Sequence, residues 1–267
     1  MKRTAFILFL FLPFVVLCQL RHKLDSLNSL LKKAPSADTS RCTLLNEISY
    51  ELRRVNPDSS RMVAEQALAL SQRLVFKKGI AFANNNLGVF HHIQGNYDKA
   101  LAFYEEAKRI KLSIGDRKGA ANTQNNIGIT YYMQGYYDKA LTYYSSSLKL
   151  QEEIKDSAGM ANTLNYLASV YLYLVDYEKA LKNYLAAISI HEKLGDESGL
   201  SQEYNNLGIV YSRLGNIDKA IASYKTSLNF LSSTGDKYLT ASAFNNLGSA
   251  MREKKQYDEA LNYYQKS

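Results

Sequence analysis

Five tripeptides recur at a spacing of forty residues: Asn86-Leu87-Gly88, Asn126-Ile127-Gly128, Tyr166-Leu167-Ala168, Asn206-Leu207-Gly208 and Asn246-Leu247-Gly248. A second mark follows each after ten residues: Asp98-Lys99-Ala100, Asp138-Lys139-Ala140, Glu178-Lys179-Ala180, Asp218-Lys219-Ala220 and Asp258-Glu259-Ala260. No insertion breaks the register. A strict period of this length marks one supersecondary unit stacked on copies of itself. Such a chain builds its core between neighbouring units, so its 267 residues need not close into one globular domain. Function is bounded too, because stacked units offer long surfaces to partners and seldom enclose a catalytic pocket.

The unit from Ile80 to Gly119 shows why these residues stand where they do. A first helix is expected from Ile80 to Gln94, ended by Gly95-Asn96, and a second from Tyr97 to Ile114. Gly115-Asp116 then turns the chain into the next unit; Gly195-Asp196 and Gly235-Asp236 repeat the turn, with Lys155-Asp156 as its variant. Gly88 and Ala100 fall where the two helices cross, and Ala107, Ser147, Ala187 and Ser227 fall where the next unit packs. Leu87, Leu101 and Tyr104 are the large residues around them and read as core. The chain holds only three prolines, as long helices require, and 21 tyrosines, twelve of which occupy three repeat positions.

The run Asn86-Leu87-Gly88, Gly95-Asn96-Tyr97-Asp98-Lys99-Ala100, Tyr104 and Ala107 resembles the tetratricopeptide repeat. The usual unit of that family is about 34 residues; the longer one here is similar to a long-repeat subclass found in scaffolds that capture peptide segments. The resemblance covers about residues 41–267. It implies an all-α fold, a right-handed α-solenoid of antiparallel helix pairs whose first helices line a concave face. The expected organisation is a signal peptide at 1–18, a capping helix and linker at 19–40, a degenerate repeat at 41–80, repeats at 81–120, 121–160, 161–200 and 201–240, and an incomplete repeat at 241–267. Ser267 stands at the phase of Ala107, so the natural polypeptide is expected to continue beyond it.

Lys2 and Arg3 followed by an apolar run from Ala5 to Leu17 read as a secretory signal cleaved before Gln19. Lipidation of Cys18 and an uncleaved anchor are the alternatives. The location expected is the periplasm or the outer face of a bacterial membrane. After cleavage Cys42 is the sole cysteine, which leaves no intrachain disulfide. The formal charge falls from +8 to +6 on loss of Lys2 and Arg3. The remaining basic residues are scattered among acidic ones and form no stripe, so nucleic acid is not an expected partner.

One position on the first helices is the same in five units: Asn85, Asn125, Asn165, Asn205 and Asn245. The next is Asn86, Asn126, Asn206 and Asn246, with Tyr166 as the exception. Asparagine is a mediocre helix former, so its recurrence needs a reason. The first ladder is read as side-chain amides for the main chain of an extended peptide. For this ladder, amides bonding between neighbouring first helices are the competing explanation; the second ladder is read as structural in that way, with ligand contact as its alternative. Variable positions nearby supply specificity, among them Ile129, Ile209, His92, Tyr132 and Arg252, and also Ser169 and Leu172.

The histidines have no metal-ligand spacing, and every glycine is accounted for by a turn or a helix crossing. No enzyme activity, metal or cofactor is expected. The function expected is an exported scaffold binding a peptide or protein segment in the concave groove. Two alternatives stay open: the sensory input region of a longer bacterial membrane signalling protein, such as a histidine kinase or helix-turn-helix regulator, and a self-associating solenoid. A membrane is expected to matter only through the signal or anchor segment, or through a C-terminal continuation.

Overall fold

The computed structural model describes residues 11–53 and 55–267. The expected signal segment begins in residues 1–10, which lie outside the described residues, as does the side chain of Cys18. Thirteen helices and no strand occur among the described residues. None of these helices is long and apolar enough to cross a membrane. They are α1 (Phe11–Lys33), α2 (Thr39–Leu52), α3 (Pro57–Arg73), α4 (Lys77–Ile93), α5 (Tyr97–Ser113), α6 (Arg117–Met133) and α7 (Tyr137–Glu153), then α8 (Ser157–Tyr173), α9 (Tyr177–Leu194), α10 (Glu197–Arg213), α11 (Ile217–Thr234), α12 (Lys237–Glu253) and α13 (Tyr257–Lys266). The fold is all-α, a repeat solenoid of helix pairs. Helix α1 runs through residues assigned from the sequence to both the signal segment and the cap.

The punctuation is stricter than the sequence shows. Every twentieth residue from Val75 to Lys255 lies in the left-handed region, with φ between 53° and 80°. Each closes a helix: Gly95 N–H donates to His92 C=O and Asn96 N–H to His91 C=O, the paired bonds that satisfy a terminal turn. In the Gly-Asp turns the aspartate then opens the next helix. Asp116 Oδ1 accepts the Gly119 N–H at 2.8 Å, Asp196 that of Gly199 at 3.0 Å, and Asp236 that of Leu239 at 3.0 Å. One dipeptide therefore stops one helix and caps its successor.

The chain divides into two compact units, Met1–Thr130 and Tyr131–Ser267. In the first, α4 packs against α3 and α5, and α2 against α1, α3 and α4. A Cβ on Gly88 would stand 2.6 Å from the Tyr104 ring, so glycine is what lets α4 and α5 approach. In the second, α8 to α12 each pack on the helix before and the helix after, and α13 packs on α12. Gly208 lies under Tyr224 and Gly248 under Tyr264 in the same way; an added Cβ would stand 2.4 and 2.7 Å from the respective rings. Ala168, Ala180, Tyr184 and Val210 form one part of this core, and Ala220, Tyr224, Leu247 and Met251 another.

Candidate peptide-binding cleft

The first asparagine ladder is where the structure departs most from expectation. Asn125, Asn165 and Asn205 are buried, 4–6% exposed, and so do not lie on open surface. Asn165 Nδ2 donates to Glu203 Oε1, and Asn205 Oδ1 accepts from Asn246 Nδ2 at 3.0 Å. In the first unit Asn85 Oδ1 accepts from Asn126 Nδ2 and Thr123 Oγ1, both at 3.3 Å. Each of these bonds joins a ladder residue to a position 38 or 41 residues further on, one first helix along. Asn125, Asn165 and Asn205 are thus enclosed rather than on the open surface expected of ligand contacts, and the amides of Asn165 and Asn205 are bonded across a helix interface. Asn245 is exposed and Asn85 half-buried.

The other expected site residues separate by place. His92 is half-buried, with Nδ1 3.0 Å from Thr130 Oγ1, and its desolvation lowers the imidazole pKa. Ile129 is half-buried in the first unit, and Arg252 is exposed on α12. Tyr132 and Ile209 are brought together, in a cleft of about 440 Å³ within the second unit.

Four helices build this cleft. Tyr132 enters from the end of α6; Ser169, Leu172 and Tyr173 come from α8, and Val175 from the turn after it. Tyr177 and Tyr184 are on α9, and Asn206, Ile209 and Arg213 on α10. The rings are held by one another. Tyr132 and Tyr173 centroids are 6.2 Å apart, edge to face; Tyr137 at the start of α7 lies 4.4 Å from Tyr173 and 5.6 Å from Tyr132. At its floor Ser169 Oγ and Tyr184 Oη are 3.1 Å apart. A hydrogen bond with Tyr173 pushes the Tyr137 phenol up to about 12, and burial does the same for Tyr184. Burial also raises Tyr132. At neutral pH these hydroxyls therefore keep their protons and can donate. Arg213 is the only charged side chain in the lining, and it forms no ion pair among the described residues.

Glu203 stands outside every residue class singled out from the sequence. It is 2% exposed, and burial pushes its carboxyl up to about 8 while the bond from Asn165 opposes the shift. A signal is present: siblings at its repeat position are Ala83, Thr123, Thr163 and Ala243, so one carboxylate stands in a column of small residues. Among the described residues no three His, Cys, Asp or Glu side chains converge to hold a metal ion.

The tetratricopeptide repeat profile matches residues 79–153, 159–233 and 200–267. This chain belongs to the tetratricopeptide repeat family. Solved structures share the fold at low identity. BtubC from P. vanneervenii is 20% identical with a TM-score of 0.68, over 82% of this chain and 91% of that one. The apo form of RapI is 18% identical with a TM-score of 0.69, over 90% and 86%. A signal transduction ATPase from Pyrococcus horikoshii with a tetratricopeptide repeat sensor reaches a TM-score of 0.77 at 18% identity, over 95% of this chain and 40% of that one. No curated protein matches the sequence significantly. As a family member the chain is a protein-interaction scaffold.

Proposed function

We propose that this scaffold is exported and holds a flexible peptide or protein segment in the cleft of its second unit. The supporting observation is the cleft itself: a ring of mutually packed tyrosines beside the amide of Asn206 and the guanidinium of Arg213. Because rigid helices hold these groups in place before binding, most of the ordering entropy falls on the partner. Export rests on the sequence of residues 1–18.

Selection from a peptide display library tests the cleft. Captured peptides should bind Tyr132→Ala and Ile209→Asp at least ten-fold more weakly, with Arg252→Ala unchanged. Equal binding by all three variants overturns the assignment. Mass spectrometry of the mature N-terminus from an expressing bacterium tests export; an intact Met1 in the cytoplasmic fraction would sink that part.

Self-association is a second reading, favoured by the exposed Leu261 and Tyr257 on α13. It requires the mass in light scattering to rise with concentration, and a constant monomer mass disposes of it.

A further inference from the structure

Resting on the cleft assignment above, we propose that the segment it takes is proline-rich and bound as a polyproline II helix. Three features of the lining point to this ligand. The first is aromatic content. Tyr132, Tyr173 and Tyr177 surround one cleft, with Tyr137 packed behind Tyr173. Pyrrolidine rings pack on such faces, and aromatic-lined grooves are a recurrent solution for preformed polyproline II segments.

The second is the balance of donors and acceptors. The lining holds no carboxylate, burial raises the Tyr132 and Tyr184 phenols so that they keep their protons at neutral pH, and Asn206 and Arg213 add further donors. A polyproline II run presents carbonyl acceptors and no N–H groups. Its carbonyls can take donors from these groups, and it brings no N–H of its own to be satisfied. A cationic ligand is disfavoured, since Arg213 is the one charge present.

The third feature is independent of the cleft's chemistry. Val175 occupies the left-handed turn position at φ 63°, where the equivalent turns at 95, 135 and 215 have glycine and that at 255 has lysine. A β-branched residue is strained there. It is 63% exposed, and Tyr173 just before it is 59% exposed. Val75 is likewise left-handed and exposed, at φ 53°, so strain alone does not mark a ligand surface; what sets Val175 apart is its place in the cleft lining. Val175 and Tyr173 then form the lip of the cleft.

The test uses the full chain and a fluorescein-labelled oligoproline of about nine residues, roughly 28 Å long at the polyproline II rise. Anisotropy should show saturable binding, at least ten-fold weaker for Tyr173→Ala. Val175→Gly should bind several-fold more weakly while its Tm rises, two changes of opposite sign that a purely structural valine would not give. A glycine-serine peptide of equal length should bind at least ten-fold more weakly than oligoproline. No saturable binding, equal binding of the two peptides, or unchanged affinity in both variants overturns the proposal. Display selection separates its failure from that of the cleft: selected peptides without proline that still depend on Tyr132 keep the cleft and discard proline, and peptides indifferent to Tyr132 discard both.

Discussion

Asn165 on α8 donates its side-chain amide to the buried carboxyl of Glu203 on α10, whose pKa burial pushes up to about 8. The bond ties together the two helices that supply Ser169, Leu172 and Tyr173 on one side of the cleft and Asn206, Ile209 and Arg213 on the other. Replacing Glu203 by Gln should therefore stabilise the protein above neutrality. The folded-state pKa of about 8 exceeds the ordinary value of 4.5, so between these limits the folded chain binds more protons than the unfolded one. Stability is full below about pH 4.5 and is lost as pH rises through 8. At roughly 1.4 kcal/mol per pH unit the loss is of order several kcal/mol. Urea unfolding at pH 6 and 8.5 should show the decline in the wild type and little of it in Glu203→Gln. Parallel declines would remove Glu203 as the cause.

Alanine at Asn165 should lower the melting temperature. It leaves Glu203 Oε1 buried without its donor, which costs about 1–3 kcal/mol. Asn205→Ala removes the acceptor of Asn246 and should cost about 0.5–1.5 kcal/mol. Asn245→Ala, at an exposed position, should be nearly neutral. Calorimetry on the three variants checks the order; equal melting temperatures would mean that the ladder carries no stability.

Gly208→Ala should be more damaging than a glycine-to-alanine change in a helix usually is. On propensity alone alanine gains about 1 kcal/mol. Here its methyl would meet the Tyr224 ring at 2.4 Å, and Tyr224 is buried between α10 and α11. Overpacking typically costs about 1–3 kcal/mol, so the net effect should be a lower Tm. A Tm at or above wild type would show that Tyr224 moves aside freely.

These outcomes separate what the sequence discloses from what it hides. The helix crossings are legible because only small residues tolerate them: Gly88, Gly208 and Gly248 each lie under a tyrosine sixteen residues on. The Gly-Asp turns are legible because left-handed backbone and helix capping are local demands. The asparagine ladders are not, because recurrence has two causes that look alike. Asn205 and Asn206 are one residue and about 100° of helix rotation apart. That rotation puts Asn205 into the interface with α12 and Asn206 into the cleft. Which one is buried depends on the next first helix, which a column of letters does not display. Val175 is hidden for another reason: its interest lies in a backbone angle.

Lys111 supplies a prediction of opposite sign to Glu203. It is 4% exposed, and its Nζ donates to Thr123 Oγ1 at 2.8 Å and Gly119 C=O at 3.3 Å. Burial pulls its amine down to about 8, with Asp116 resisting. Between there and the ordinary 10.5 the unfolded chain binds more protons, so stability rises as pH climbs through 8. Below 8 the folded state holds a buried charge, whose desolvation an apolar side chain of similar length avoids. Lys111→Met should accordingly be more stable than wild type at pH 7 and should lack the gain on moving to pH 9.5. The comparison belongs in the Glu203→Gln background, where the opposing titration is gone, and below pH 10, before the unfolded-state ionisation of the buried tyrosines Tyr104 and Tyr144 begins to weigh against folding. If the parent gains nothing between pH 7 and 9.5 by urea unfolding, Lys111 is not held neutral by the fold.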